Sequence, residues 1–151
     1  MSAGKKPLWT CPRCHHRFVT RNMWHSCGRY SLGDHFKGKD PIVRQLFSRF
    51  RALVQKCGPV TVYAQKTRIV FQTRARFTGV ATRKHWLDAA VWLKRRLEHP
   101  RFYRIELIPP GDYIHRFRLT KPSDIDRDLE NVLREAYAVG CQKHLEPGNK
   151  V

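Results

Sequence analysis

Acidic side chains are scarce in this chain: twelve Asp and Glu stand against thirty Lys and Arg over 151 residues, a formal charge of +18. Long apolar runs are missing too. The longest span about five residues, well short of a membrane-crossing helix. The Met1-Ser-Ala-Gly-Lys-Lys-Pro start has no apolar stretch behind its lysines, so it does not read as a secretory leader. No glycine-rich phosphate loop, dinucleotide fingerprint or nucleophile elbow is present, which removes the nucleotide-cradling and serine-hydrolase classes that depend on them. The basic region offers Asp88, Glu106 and Asp112 at no recognised spacing, beyond Asp40 and Glu98, so it lacks the carboxylate cluster that a magnesium nuclease needs. Five cysteines is an odd and modest number, which fits a reducing cytoplasm better than a disulfide framework. No repeat or low-complexity tract interrupts the chain.

Of the features that are present, the strongest local one is Trp9-Thr-Cys11-Pro-Arg-Cys14, followed after nine residues by Trp24-His25-Ser-Cys27-Gly28. A C-x2-C pair directs two thiolates into one tetrahedral site from a single turn, and the H-x-C pair completes it. Zinc favours this Cys/His set, and four protein ligands leave no position for substrate, so the site reads as structural. The expected ligands are Cys11, Cys14, His25 and Cys27, with His35 as the alternative to His25. The spacing matches a ββα finger up to the third ligand, but no His follows Cys27 at the required interval. A segment this short needs the metal to hold a core.

Charge and periodicity divide the rest. Residues 1–39 form the zinc module and connector, 40–145 an α+β domain and 146–151 a tail. Residues 40–122 hold eighteen Lys and Arg against five acids, whereas 123–151 hold four against six. Asp40-Pro41 is an N-cap followed by Pro at the first helical position, and Ile42, Val43, Leu46, Phe47, Phe50, Leu53 and Val54 then recur at helical spacing until Gly58-Pro59. From Val60 to Leu119 the period shifts toward two, which predicts strands near 60–64, 67–74, 77–83, 86–93, 102–108 and 113–119. Ser123-x-x-Asp126 resembles a capping box for a second helix, with Ile125, Leu129, Val132, Leu133 and Ala136 inward and Gly140 as its stop. The fold expected is α+β: a mainly antiparallel sheet of five or six strands, two helices on one face, and a small N-terminal zinc module.

Alternation then assigns the second sheet face. It collects Arg68, Arg74, Arg76, Arg104, Arg116 and Arg118, together with Trp86, Trp92 and Phe102. Guanidinium forks bind phosphate and aromatic planes stack bases, so such a face suits nucleic acid or another polyanion. Two plainer readings stand beside it. The arginines are a solvated surface, or the aromatic residues are the dock for the zinc module.

The run Trp9-x-Cys-Pro-x-Cys14, Trp24-His-Ser-Cys-Gly28, Ser31-Leu-x-Asp-His-Phe36, Lys66-Thr-x-Ile69, His99-Pro-Arg-Phe102 and His115-x-Phe-Arg-Leu119 resembles a bacterial domain-of-unknown-function group, DUF family 5655. A weaker similarity is to small YdhG-like and MmcQ/YjbR-like α+β domains. The resemblance implies a binding domain and a shared polar site of Lys66, Thr67, His99, Arg101 and His115. The expected function is that of a cytoplasmic zinc-containing protein binding nucleic acid or another polyanion. The alternatives are a small phosphoester- or nucleotide-processing enzyme using His99 and His115, and a protein-docking adaptor.

Overall fold

The computed structural model describes residues 7–21 and 30–143. Expected ligands His25 and Cys27, Trp24 beside them and the 146–151 tail lie outside the described residues.

The chain opens with a two-stranded hairpin, β1 (Trp9–Thr10) and β2 (Arg17–Phe18), with Trp9 opposite Phe18. A 3-10 turn at Gly33–Phe36 leads to α1 (Pro41–Gln55). Asp40 caps α1 as its sequence predicts, its carboxylate accepting the Ile42 N–H at 3.2 Å. The apolar stripe is buried from Val43 to Val54, so the helix forms because one face has the sheet to cover it. Beyond Gln55 the chain turns at Gly58, whose φ of +142° suits a residue without Cβ.

Six strands follow: β3 (Thr61–Ala64), β4 (Ile69–Gln72), β5 (Arg76–Thr82), β6 (Leu87–Leu93), β7 (Arg104–Ile108) and β8 (Asp112–Leu119). They form one antiparallel sheet in the order β3-β4-β5-β6-β8-β7. The first four are a meander. Residues 94–103 then carry the chain past the position of β8, and β7 becomes an edge. The last helix, α2 (Arg127–Gly140), packs with α1 on one face of this sheet. The core between them contains Phe50, Phe71, Phe77, Phe117, Leu129 and Leu133, each without measurable exposure. Burying an aromatic or leucyl side chain of this kind stabilises by about 1.5–3 kcal/mol before entropy is charged against it.

Three local expectations are corrected. Register slips between Phe71–Thr78 and Gln72–Arg76, so Phe77 is an extra, bulged residue. Phe77 and Thr78 are both fully buried, and Arg76 returns to the far face. Phe102 does not join the far face. The strand begins only at Arg104, and the preceding bend swings Phe102 into the core against His115 and Phe117, leaving Tyr103 exposed. At α2 the N-cap is Asp126 itself, accepting the Leu129 N–H at 2.9 Å, not Ser123. Asp124 instead closes a 3-10 turn, accepting from the main-chain N–H groups of Thr120 and Lys121.

Candidate nucleic-acid interface

The helix-free face of the sheet is built from the alternate residues of β4, β5, β6, β7 and β8. Cross-strand register sets Asp88 opposite Arg118, Ala90 opposite both Gly79 and Arg116, and Arg104 opposite Arg116. This brings Arg68, Arg76, Arg104, Arg116 and Arg118 onto one side of the molecule, together with Trp92 and with Arg83 from the end of β5.

Two carboxylates on this face organise it. Asp88 accepts from Arg83 at 2.7 Å and from the Trp86 indole N–H at 3.0 Å, with Arg118 at 3.5 Å. Glu106 accepts from Arg116 at 2.7 Å, and Arg104 lies 3.2 Å away. The hydrogen bond from Arg116 leads the effects that hold the Glu106 carboxyl below its ordinary range. These pairs are partly exposed and contribute little to stability. Arg118 lies 4.9 Å from the Tyr103 ring centre and 5.9 Å from that of Trp86, so Trp86 is partly covered by a cation.

Arg68 and Arg76 have no carboxylate partner among the described residues. Withdrawal from water is the main cause that lowers the Arg68 pKa, followed by repulsion from Arg116 and Arg76. The three guanidiniums therefore share one electrostatic neighbourhood, and it is under-neutralised.

The hairpin covers the other end of the face. The Gln72 side-chain amide donates to the Arg17 carbonyl, the His16 ring lies 4.1 Å from Tyr63, and Arg76 lies 5.0 Å over Phe18. Phe18 and Tyr63 are buried by this contact, and burial pushes the Tyr63 phenol up to about 12. The dock is thus Tyr63, Gln72 and Arg76, with Trp92 reaching the same cavity as Phe18 and Trp86 standing apart. That cavity, about 400 Å³, also has Arg74 and Lys94 on its walls. Arg74 leaves the platform: it sits in the β4–β5 turn and donates to Gln142 at 2.8 Å.

Within the hairpin, Cys11 and Cys14 leave one tight turn. Cys11 N–H donates to the His16 carbonyl at 2.9 Å and His15 N–H to the Cys11 carbonyl at 2.8 Å, with His15 at a φ of +64°. No group of three or more possible metal ligands occurs among the described residues. The alternative ligand His35 has its Nε2 2.8 Å from the Gln65 carbonyl.

The shared polar site is brought together in part: His99 accepts from the Arg101 N–H and shares the Phe102 ring with His115. Lys66 and Thr67 sit in the β3–β4 turn. Arg101 instead grips Asp126 through both carboxylate oxygens, at 2.9 and 2.8 Å. His115 is fully buried. Its Nε2 accepts the Leu97 N–H at 2.9 Å, which leaves Nδ1 to donate to the Tyr113 carbonyl at 3.2 Å. His99 has its Nδ1 turned to the Arg101 N–H at 3.1 Å, and both imidazoles pack on Phe102. Neither ring presents a free base to a common substrate position. Sequence reasoning missed Tyr103, Arg83 and the small floor of Gly79, Ala81 and Ala90. Only the small residues had left a signal, at alternating positions of adjacent strands.

No curated protein and no solved structure resembles the chain closely enough to count as a match. A family described as Domain of unknown function (DUF5655) matches residues 32–140, from the 3-10 turn before α1 to the last residue of α2. The two-helix, six-strand body is the matched portion, the Cys11–Cys14 hairpin lies before it, and the chain belongs to the DUF5655 family.

Proposed function

We propose that this protein binds single-stranded nucleic acid, or a chemically similar polyanion, across the helix-free sheet face. The observation that carries the reading is the convergence of Arg68, Arg76, Arg83, Arg104, Arg116 and Arg118 on a face where, among the described residues, Asp88 and Glu106 are the carboxylates paired with them and Asp112 is taken by Lys94. Arg68, Arg104, Arg116 and Arg118 meet backbone phosphates, and Trp92 and Tyr103 supply planes for bases. Trp86, already covered by Arg118, is the weaker stacking residue. The histidine-based enzyme reading draws no support from the imidazoles: both His115 nitrogens bond backbone groups, while His99 Nδ1 accepts from the Arg101 N–H and its Nε2 lies 3.8 Å from Asp128.

The zinc reading belongs to the same proposal. Cys11 and Cys14, joined by His25 and Cys27, hold a structural zinc that fixes the hairpin against Tyr63 and Gln72, so the module frames one end of the binding face. Support comes from the tight Cys11–Cys14 turn and from the ligand spacing in the sequence. Metal analysis of the purified chain is expected to give one zinc per molecule, lost in Cys14→Ser.

The binding test is a fluorescence-anisotropy titration of a single-stranded oligonucleotide at low salt. Double reversal by Arg68→Glu and Arg118→Glu is expected to weaken binding about tenfold or more while leaving the fold intact. Equal binding by the reversed variant would move the interface off this face.

A further inference from the structure

Between Arg68 and Arg116 the sheet face sinks into a cavity of about 210 Å³. Its floor is Gly79, Ala81 and Ala90, none with atoms beyond Cβ. Gly79 keeps that floor low: a methyl there would lie 3.0 Å from the Ile69 carbonyl. The register Val70–Gly79–Ala90–Arg116 makes the gap three strand spacings wide, roughly 14 Å at ~4.8 Å each. Two arginines reach over it from opposite sides, with Tyr103 and Trp92 on its walls. The space holds one phosphate and its sugar. It is small beside the ~300–1,000 Å³ of an ordinary ligand pocket, so several nucleotides do not fit.

We propose that Arg68 and Arg116 form a recognition site for a phosphate monoester, as found at the phosphorylated end of a nucleic-acid strand or on a free mononucleotide. The inference rests on the outer-face reading and narrows it. A diester inside a strand carries one negative charge and must lead the chain both in and out of the cavity. A monoester carries about −1.5 to −2 and three acceptor oxygens, and it ends the chain. Planar guanidinium forks from two sides match that trigonal set of oxygens. Asp88 also lines the cavity, but its oxygens accept from Arg83 and Trp86, with Arg118 close by, so its charge is offset by two neighbouring guanidiniums.

The test compares oligothymidylates of one length carrying a 5′-phosphate, a 3′-phosphate or hydroxyl ends, with a one-nucleotide-longer hydroxyl strand as the control for added charge. Thymidine 5′-monophosphate and inorganic phosphate are titrated separately. A terminal phosphate at one end is expected to tighten binding about tenfold over both hydroxyl strands. Arg68→Gln is expected to abolish that difference, with Arg68→Lys restoring part of it and melting curves unchanged. If phosphorylated and hydroxyl strands bind alike, the monoester site is wrong and the polyanion reading survives. If strands do not bind but the mononucleotide does, and Arg68→Gln abolishes this, the site stands and the polyanion reading falls. If the phosphate advantage survives in Arg68→Gln, the monoester is held elsewhere and the assignment to Arg68 and Arg116 is overturned.

Discussion

The side-chain amide of Gln72, on β4, donates to the main-chain carbonyl of Arg17, on β2. The same glutamine accepts from the hydroxyl of Tyr63 on the neighbouring strand β3 at 2.9 Å, so one buried side chain joins the hairpin to the sheet and is itself braced from within the sheet. Hydrogen bonding of this kind is worth about 1 kcal/mol net, and a buried partner left unsatisfied costs more.

Replacing Gln72 with Leu keeps its bulk and removes both bonds. Hairpin opening is then expected to become about fivefold or more easier, read as faster hydrogen exchange of the Phe18 amide. Amides of α1 and β5 are expected to keep their protection. Unchanged exchange at Phe18 would mean that the ring contacts, His16 on Tyr63 and Arg76 on Phe18, hold the hairpin alone.

His115 links the core to pH. Burial is the main effect that lowers its pKa from the ordinary 6.5, with the Tyr113 carbonyl opposing. The folded state thus prefers the neutral ring, while the unfolded chain takes up a proton first as pH falls. The stabilisation is complete above pH 6.5 and is lost as pH drops from there through the folded-state value. Melting temperature is expected to fall over that range, and His115→Gln is expected to fall less steeply because its amide does not titrate. Parallel curves would show that other groups set the acid limit. His115→Ala, which strands the Leu97 N–H and leaves a hole, is expected to cost about 2–4 kcal/mol.

Gly140 closes α2 where the helix touches the sheet. A methyl there would lie 2.6 Å from both Phe77 Cδ1 and Thr73 Oγ1 and 3.1 Å from the Ala75 carbonyl. Gly140→Ala improves helix propensity by up to about 1 kcal/mol, yet it is expected to destabilise by about 1–3 kcal/mol net, because overpacking against a fixed ring outweighs propensity. Denaturant melts decide the sign. A stabilised variant would show that α2 can shift away from Phe77 at little cost.

Much of the body was legible because its elements obey simple periods. The Val43–Val54 stripe and the Asp40-Pro41 start specify α1, and strict alternation from Leu87 to Leu93 specifies β6 with its buried face. Where local order breaks, sequence reasoning failed for a physical reason. Alternation cannot see the bulge at Phe77, which shifts the register between β4 and β5, nor the bend that swaps Phe102 and Tyr103 between faces. Arg104, Arg116 and Arg118 keep the face that alternation gave them, since they lie within regular strands, whereas Arg74 falls in a turn and does not. The Asp88 and Glu106 pairings and the hairpin's seat on Tyr63 depend on tertiary contacts that no local pattern carries.

The most direct measurement of the outer-face assignment is the affinity for a single-stranded oligonucleotide as a function of salt, from ~50 to ~200 mM. Each phosphate neutralised contributes about −0.7 to the slope of log affinity against log salt, so contacts from Arg68, Arg104, Arg116 and Arg118 predict a slope near −3. Arg68→Gln with Arg118→Gln is expected to make it shallower by about 1.4. Binding that is unmeasurable at ~50 mM, or a slope near zero, would contradict a phosphate-gripping face.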